Sequence, residues 1–234
     1  VLRAKIGEVL EVVDIQNKTL YITEIKDGNG NLKVKDIIRK EDDDIKITIY
    51  QGAIKGERFE YFLEKTTELG VDRIKVIPLK RNVVKFKENE ITKKEERFRK
   101  ILESSSKQSR RLDIPKLAIL NNREMMNSLE KEDIVFVLYE QILKETIDVR
   151  NMVNIIRENR YNNISMKKMV DTIIEGKCKN IGIVIGAEGG IDISEIEELR
   201  KCDNIRVVTL GKRILRAETA GVSVMSILNY ELER

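Results

Sequence analysis

Ile181-Gly-Ile-Val-Ile-Gly-Ala-Glu-Gly-Gly190 and Val207-Val-Thr-Leu-Gly-Lys-Arg-Ile-Leu-Arg-Ala-Glu-Thr-Ala220 decide how this chain is read. In each, a β-branched run stops at glycine and a helical pattern follows. That sequence of events leaves backbone N–H and C=O groups at the carboxyl edge of a parallel sheet, where open α/β sheets bind ligands. The spacing is not that of a phosphate cradle. No Gly-x-x-x-x-Gly-Lys-Ser/Thr run occurs, and Gly186-Ala-Glu-Gly-Gly190 lacks the Gly-x-Gly-x-x-Gly pattern.

Upstream, strand and helix patterns alternate from Ile45, as a parallel sheet requires. Ile45 to Tyr50, Ile74 to Ile77, Leu117 to Leu120 and Ile134 to Tyr139 read as strands. Glu57 to Leu69 reads as a helix with Phe59, Phe62, Leu63, Thr66 and Leu69 on one side and Gly70 as its stop. Thr92-Lys-Lys-Glu95 has the form of a capping box opening a second helix, and Ser194-Glu-Ile-Glu197 that of another just after the first glycine loop. Further helices are expected near Arg123 to Glu130 and Lys144 to Arg157, and a partly helical excursion over Asn159 to Asn180. The last helix, about Ala217 to Leu232, is apolar on more than one face, which places it in a core or an interface.

Before residue 45 the pattern differs. Glu8 to Asp14, Thr19 to Ile25 and Leu32 to Ile38 are short β patterns, with Asp27-Gly-Asn-Gly30 as a turn, followed by a charged linker from Arg39 to Asp44. Two units follow: a small β-rich one over residues 1–44 and an α/β one over 45–234.

Composition narrows the chemistry. The chain has 234 residues, 41% hydrophobic and 36% charged, enough to bury a substantial core. No apolar stretch approaches a membrane span and no signal segment opens the chain, so a cytoplasmic location is expected. The two cysteines, Cys178 and Cys202, are too few for a disulfide framework and lack metal-ligand spacing, so no metal is expected. Histidine is absent, which removes the Ser-His-Asp and Cys-His mechanisms and the commonest general base. Carboxylates, arginines, lysines and backbone dipoles remain. Net charge is +4, but between Lys80 and Lys116 thirteen basic residues face six acidic ones. A block so biased suits a phosphate-binding face; the plainer alternative is a solvated helix surface.

Four motifs in one order resemble the ribosomal small-subunit methyltransferase E family of the SPOUT superfamily. They are Lys65-x-x-Glu68-Leu-Gly-Val71, Gln108-Ser-x-Arg111 with Pro115, Ile185-Gly-Ala-Glu-Gly-Gly190 with Ser194-Glu-Ile, and Leu210-Gly-Lys-Arg-Ile-Leu-Arg-Ala-Glu-Thr-Ala220. The chain departs from the family pattern at Ala187, Lys107 and Arg110, where proline, an acid and a small residue are usual.

The resemblance implies an α/β methyltransferase domain with a C-terminal trefoil knot, used in homodimerisation, behind a small PUA-like β-barrel whose first strand or two are missing from this chain. It implies methylation of N3 of a specific uridine in 16S rRNA of the small ribosomal subunit, with S-adenosyl-L-methionine as methyl donor. A sulfonium donor is already activated, which suits a chain without histidine. By the same resemblance Leu210, Gly211, Ile214 and Leu215 hold the adenine, Gly186 and Gly189 bound the methionine side, and Ile185, Glu188 and Gly190 belong to the same cofactor site. Arg216 is the preferred stabiliser of the uridine N3 anion. Glu188 and Glu218 are candidates to accept the proton, and either could instead be structural, since carboxylates favour helix N-termini. Arg81, Lys85, Gln108, Arg110, Arg111 and Arg213 are the candidate RNA contacts. Two other functions remain open: another SPOUT activity, such as guanine methylation of transfer RNA, and a non-enzymatic ribosome-assembly factor.

Overall fold

The computed structural model describes residues 5–39, 45–84, 86, 88–140, 147–148 and 178–232. Of the expected helix over Lys144 to Arg157 only Ile147 and Asp148 are among them, and these form a short strand instead; nearly all of the Asn159 to Asn180 excursion lies outside, as does Lys85.

The first unit is a three-stranded antiparallel meander of β1 (Val9–Asp14), β2 (Thr19–Ile25) and β3 (Leu32–Arg39). Its turns are made by aspartates. Asp14 accepts from the backbone N–H of Gln16 and Asn17, and Asp27 from those of Asn29 and Asn31. Each carboxylate also accepts from the side-chain amide of the nearby asparagine at 2.7 Å, which holds both below the usual carboxylate range. The Asp27 turn is where the sequence places it.

The second unit is built on seven parallel strands in the order β6-β5-β4-β9-β7-β10-β8. They are β4 (Lys46–Gly52), β5 (Arg73–Ile77), β6 (Lys116–Ile119), β7 (Ile134–Leu138), β8 (Ile147–Asp148), β9 (Asn180–Ile185) and β10 (Ile205–Thr209). Five helices are described: α1 (Gly56–Glu68), α2 (Glu88–Gln108), α3 (Asn122–Leu129), α4 (Ile193–Leu199) and α5 (Ala217–Leu232).

Side chains alternate across each strand, so both faces of the sheet are covered. On one face Ile47, Ile49, Ile74, Phe136 and Ile183 pack with Phe59, Phe62 and Leu63 of α1, Phe98 and Leu102 of α2, and Val224, Met225 and Leu228 of α5. Phe98 meets Phe59 edge-on at 4.8 Å between ring centroids, locking α2 on α1. On the other face Tyr50, Ile77, Val135, Val137, Val184 and Val207 pack with Leu129 of α3 and Ile196 and Leu199 of α4. Each such fully buried aliphatic or aromatic side chain stabilises the fold by roughly 1.5–3 kcal/mol relative to exposure. Tyr50 carries a polar tip into this layer, donating to Glu132 at 2.7 Å, and burial pushes its phenol up.

The start of α2 differs from the expectation. α2 begins at Glu88, four residues before Thr92, so Thr92 lies within the helix and caps nothing. Glu95 is used elsewhere: its carboxylate faces the backbone N–H of Ile119 at 3.4 Å, at the end of β6.

Candidate active site

In the sheet, β7 lies between β9 and β10, so their three carboxyl ends sit side by side. A cleft with about 530 Å³ of open space lies over them. Its walls are Leu138, Tyr139 and Glu140 after β7, Ile185, Gly186, Ala187, Gly190 and Ile191 after β9, and Thr209, Leu210, Gly211, Arg213, Ile214 and Leu215 after β10. Ala217 and Ala220 of α5 complete it. Most lining residues are apolar, but about as much polar as apolar surface is exposed in the cleft, so backbone groups and a few polar side chains face a ligand alongside the apolar ones.

The first loop folds back on itself. The N–H of Gly190 donates to the carbonyl of Ala187 at 2.9 Å, and Gly190 has φ +71°. A Cβ on Gly186 would lie 2.8 Å from the carbonyl carbon of Gly190, so only glycine permits this reversal. Gly189 behaves differently. A Cβ there would meet the Cβ and backbone carbonyl of Arg81 at 3.0 and 3.1 Å, so this glycine lets the chain at Arg81 approach the loop and does not line the cleft.

Several groups brace the loop from outside. Gln51, fully buried at the end of β4, donates to the Gly186 carbonyl at 2.9 Å. Arg81 donates to the Gly189 carbonyl at 3.3 Å and to Asp192 at 3.1 Å. Asp192 is the N-cap of α4, accepting from the N–H of Ser194 while Glu195 accepts from the N–H of Asp192. The capping box is therefore Asp192 with Glu195, two residues earlier than the expected Ser194 with Glu197. The Ser194 hydroxyl donates to Asp192 at 2.6 Å and, with Arg81, holds that carboxyl below its usual range.

In the second loop, the Thr209 hydroxyl bonds the carbonyl of Gly211 at 3.1 Å. Arg213, Ile214 and Arg216 are exposed, Ile214 at 81%. The Arg216 guanidinium has no hydrogen-bond or ion-pair partner among the described residues, whereas its carbonyl accepts from Ala220 at the start of α5.

The two candidate proton acceptors differ in setting. Glu188 is exposed on the first loop and accepts from the N–H of Lys55 at 3.0 Å. Glu218 is buried against α1, 4.0 Å from Arg58, with one carboxylate oxygen lacking a partner. Neither lines the cleft.

The basic segment also divides. Gln108 is exposed at the end of α2, and Arg110 projects to solvent with 78% of its side chain exposed, 3.6 Å from Glu11 of β1. Arg111 is turned inward, only 11% exposed, donating to Asp113 at 2.9 Å and to the carbonyl of Thr67 at 2.8 Å.

Gln51, Tyr139, Glu140 and Asp192 were not singled out in the sequence. A lone amide ending an apolar run just before Gly52 is the one hint of Gln51. Tyr139 and Glu140 end a strand without glycine.

Among the described residues no group of three or more His, Cys, Asp or Glu could hold a metal ion, and no helix is long and apolar enough to cross a membrane.

Comparison with known proteins agrees with this geometry. A family model for the RNA methyltransferase domain matches residues 41–229. The chain is 30% identical over 191 residues to ribosomal RNA small subunit methyltransferase E of Bacillus subtilis, covering 81% of this chain and 67% of that protein. It is 31% identical over 183 residues to the protein of the same name from Aquifex aeolicus, covering 78% and 67%. Among solved structures, a ribosomal RNA small subunit methyltransferase E from Neisseria gonorrhoeae bound to S-adenosyl methionine superposes with TM-score 0.70 at 22% identity, over 97% of this chain and 85% of that one. With its parallel sheet and its cleft over three strand ends, the chain belongs to the ribosomal RNA small subunit methyltransferase E family of RNA methyltransferases.

Proposed function

We propose that the protein methylates N3 of a specific uridine in the RNA of the small ribosomal subunit, with S-adenosyl-L-methionine as donor. The observation that carries this reading is the cleft over the ends of β9, β7 and β10, where Gly186 and Gly190 let the first loop fold back tightly beside the second glycine loop. Gly186, Gly190 and Ile185 would hold the methionine side of the cofactor, and Leu210, Gly211, Ile214 and Leu215 the adenine. The bound sulfonium would supply an activated methyl group.

The chain's own residues must then orient the uracil and handle one proton. N3 of uracil is a weak acid, so the anion needs a fixed positive charge as the proton leaves. Arg216, on the rim of the second loop with its guanidinium unpaired, is suited to that task. Of the two carboxylates, Glu188 is the exposed one, while Glu218 is turned towards α1; this favours Glu188 as the proton acceptor. For RNA docking, Gln108, Arg110 and Arg213 are accessible to phosphates, and Arg81 is half-exposed beside the first loop.

Finer features of the family reading go with this proposal: a PUA-like RNA-binding domain over residues 1–44, a methyltransferase domain over 45–234, a trefoil knot, a homodimer and a cytoplasmic setting. Two observations support the knot and the dimer. β10 enters the sheet between β7 and β8 instead of adding at an edge, and α5 carries an inner side that is apolar apart from Glu218, together with an exposed Tyr230.

The test is methyl transfer from labelled cofactor to small subunits lacking the modification, with the product nucleoside identified by mass spectrometry. 3-Methyluridine in the small-subunit RNA is the expected product. Methylguanosine in transfer RNA would point to a different methyltransferase, and absence of any cofactor binding to an assembly factor.

A further inference from the structure

Among the described residues Glu140 is the one acidic residue that lines the cleft. It follows β7, between the two glycine-bearing strand ends, and its carboxylate lies over the first loop. A Cβ built on Gly190 would stand 3.0 Å from one of its oxygens and 3.4 Å from the other. The other acids of that loop have work within the protein: Glu188 with Lys55, Asp192 with Arg81 and Ser194, Glu195 with Asp192. Glu140 has no hydrogen-bond or ion-pair partner among the described residues.

An unpaired carboxylate is tolerable while water reaches it. Once a ligand fills the cleft and displaces that water, the charge must be matched by donors or by a cation. Resting on the reading of the cleft as a methyl-donor site, three groups of the donor compete for this position. The sulfonium carries charge but no hydrogen to donate, the ribose hydroxyls donate but carry no charge, and the α-ammonium does both. Glu140 faces Gly190, in the loop proposed to hold the methionine moiety.

We propose that Glu140 is a specificity residue of the donor site, accepting hydrogen bonds from the α-ammonium group of the methionine moiety. It contributes the negative charge to a cleft whose other charged lining residue, among the described residues, is Arg213 after β10.

Calorimetry separates the three possibilities. Glu140→Gln keeps size and one acceptor but loses the charge. It should weaken S-adenosylmethionine and S-adenosylhomocysteine alike, by about tenfold as for loss of a charge-assisted bond. 5′-Methylthioadenosine, which has the ribose and adenine but no amino acid, should bind the variant as it binds the wild type. A loss confined to S-adenosylmethionine would assign Glu140 to the sulfonium, and an equal loss for all three ligands to the ribose; either result, or no loss at all, overturns the proposal. If wild-type protein binds none of the three, the reading of the cleft itself fails, and the inference with it.

Discussion

The side-chain amide of Gln51 donates to the carbonyl of Gly186 at 2.9 Å, tying the end of β4 to the loop that follows the neighbouring strand β9. The same nitrogen donates to the Gly52 carbonyl at 2.9 Å, and Gln51 is fully buried. Gln51→Leu removes both donors from buried carbonyls, which costs about 1–3 kcal/mol per unsatisfied group, offset in part because the partnerless Gln51 Oε1 also disappears. A lower urea midpoint at unchanged slope and weaker cofactor binding are expected. Wild-type cofactor affinity in a destabilised variant would show that the loop keeps its place without this amide.

The glycines of the first loop should not respond alike to substitution. Gly186→Ala drives a Cβ into the Gly190 backbone and should abolish cofactor binding, with far-ultraviolet circular dichroism unchanged. Gly189→Ala presses on the Cβ and backbone carbonyl of Arg81 at 3.0 and 3.1 Å, outside the cleft, so its cost should fall on stability while cofactor affinity stays within a few-fold. Equal loss in both variants would contradict the distinction between a cleft-facing and an arginine-facing glycine.

Arg110 and Arg111 are neighbours with opposite expected phenotypes. Neutralising exposed Arg110 should lower the salt dependence of RNA binding by about one unit of slope if it meets a phosphate, leaving the melting temperature unchanged. Arg111→Gln should leave that slope alone and destabilise the protein by about 1–3 kcal/mol, because it breaks bonds to Asp113 and to the Thr67 carbonyl in a nearly buried site. Filter binding across a salt series and thermal melts of both variants check the pair.

Arg216→Lys keeps the charge but loses the planar fork. Turnover on small subunits should fall on the order of 100-fold, as for removal of one preorganised donor, with cofactor and RNA affinities little changed. A defect confined to RNA affinity would make Arg216 a docking residue.

The parts of this fold that were legible are those where local chemistry and global position coincide. Gly186 and Gly211 end β-branched runs and sit in the cleft, and the apolar face of α1 is the one that packs. The third wall was hidden for a topological reason. Leu138, Tyr139 and Glu140 acquire their place because β7 falls between β9 and β10, an order that no local pattern encodes. Spacing alone cannot tell that α2 begins four residues before Thr92, nor choose among the competing caps of α4. Asp192 takes the cap of α4 with the help of Arg81, over a hundred positions away in sequence. Likewise, the run of basic residues reads as one charged face, yet Arg111 is spent inside the protein because Asp113 and Thr67 reach it.

The position of β9 at the centre of the sheet governs the order of events during synthesis. Lys46 pairs with Asn180, about 130 positions later, so one edge of β4 has no partner until that distant segment leaves the ribosome. At about 5–20 residues per second, the wait is on the order of ten seconds. Throughout it, Ile47 and Ile49 stand on a strand with open backbone donors and acceptors, the kind of edge that templates association between chains. A nascent chain halted before Asn180 is therefore a natural client for chaperones, and a fragment ending there should precipitate where the full chain folds.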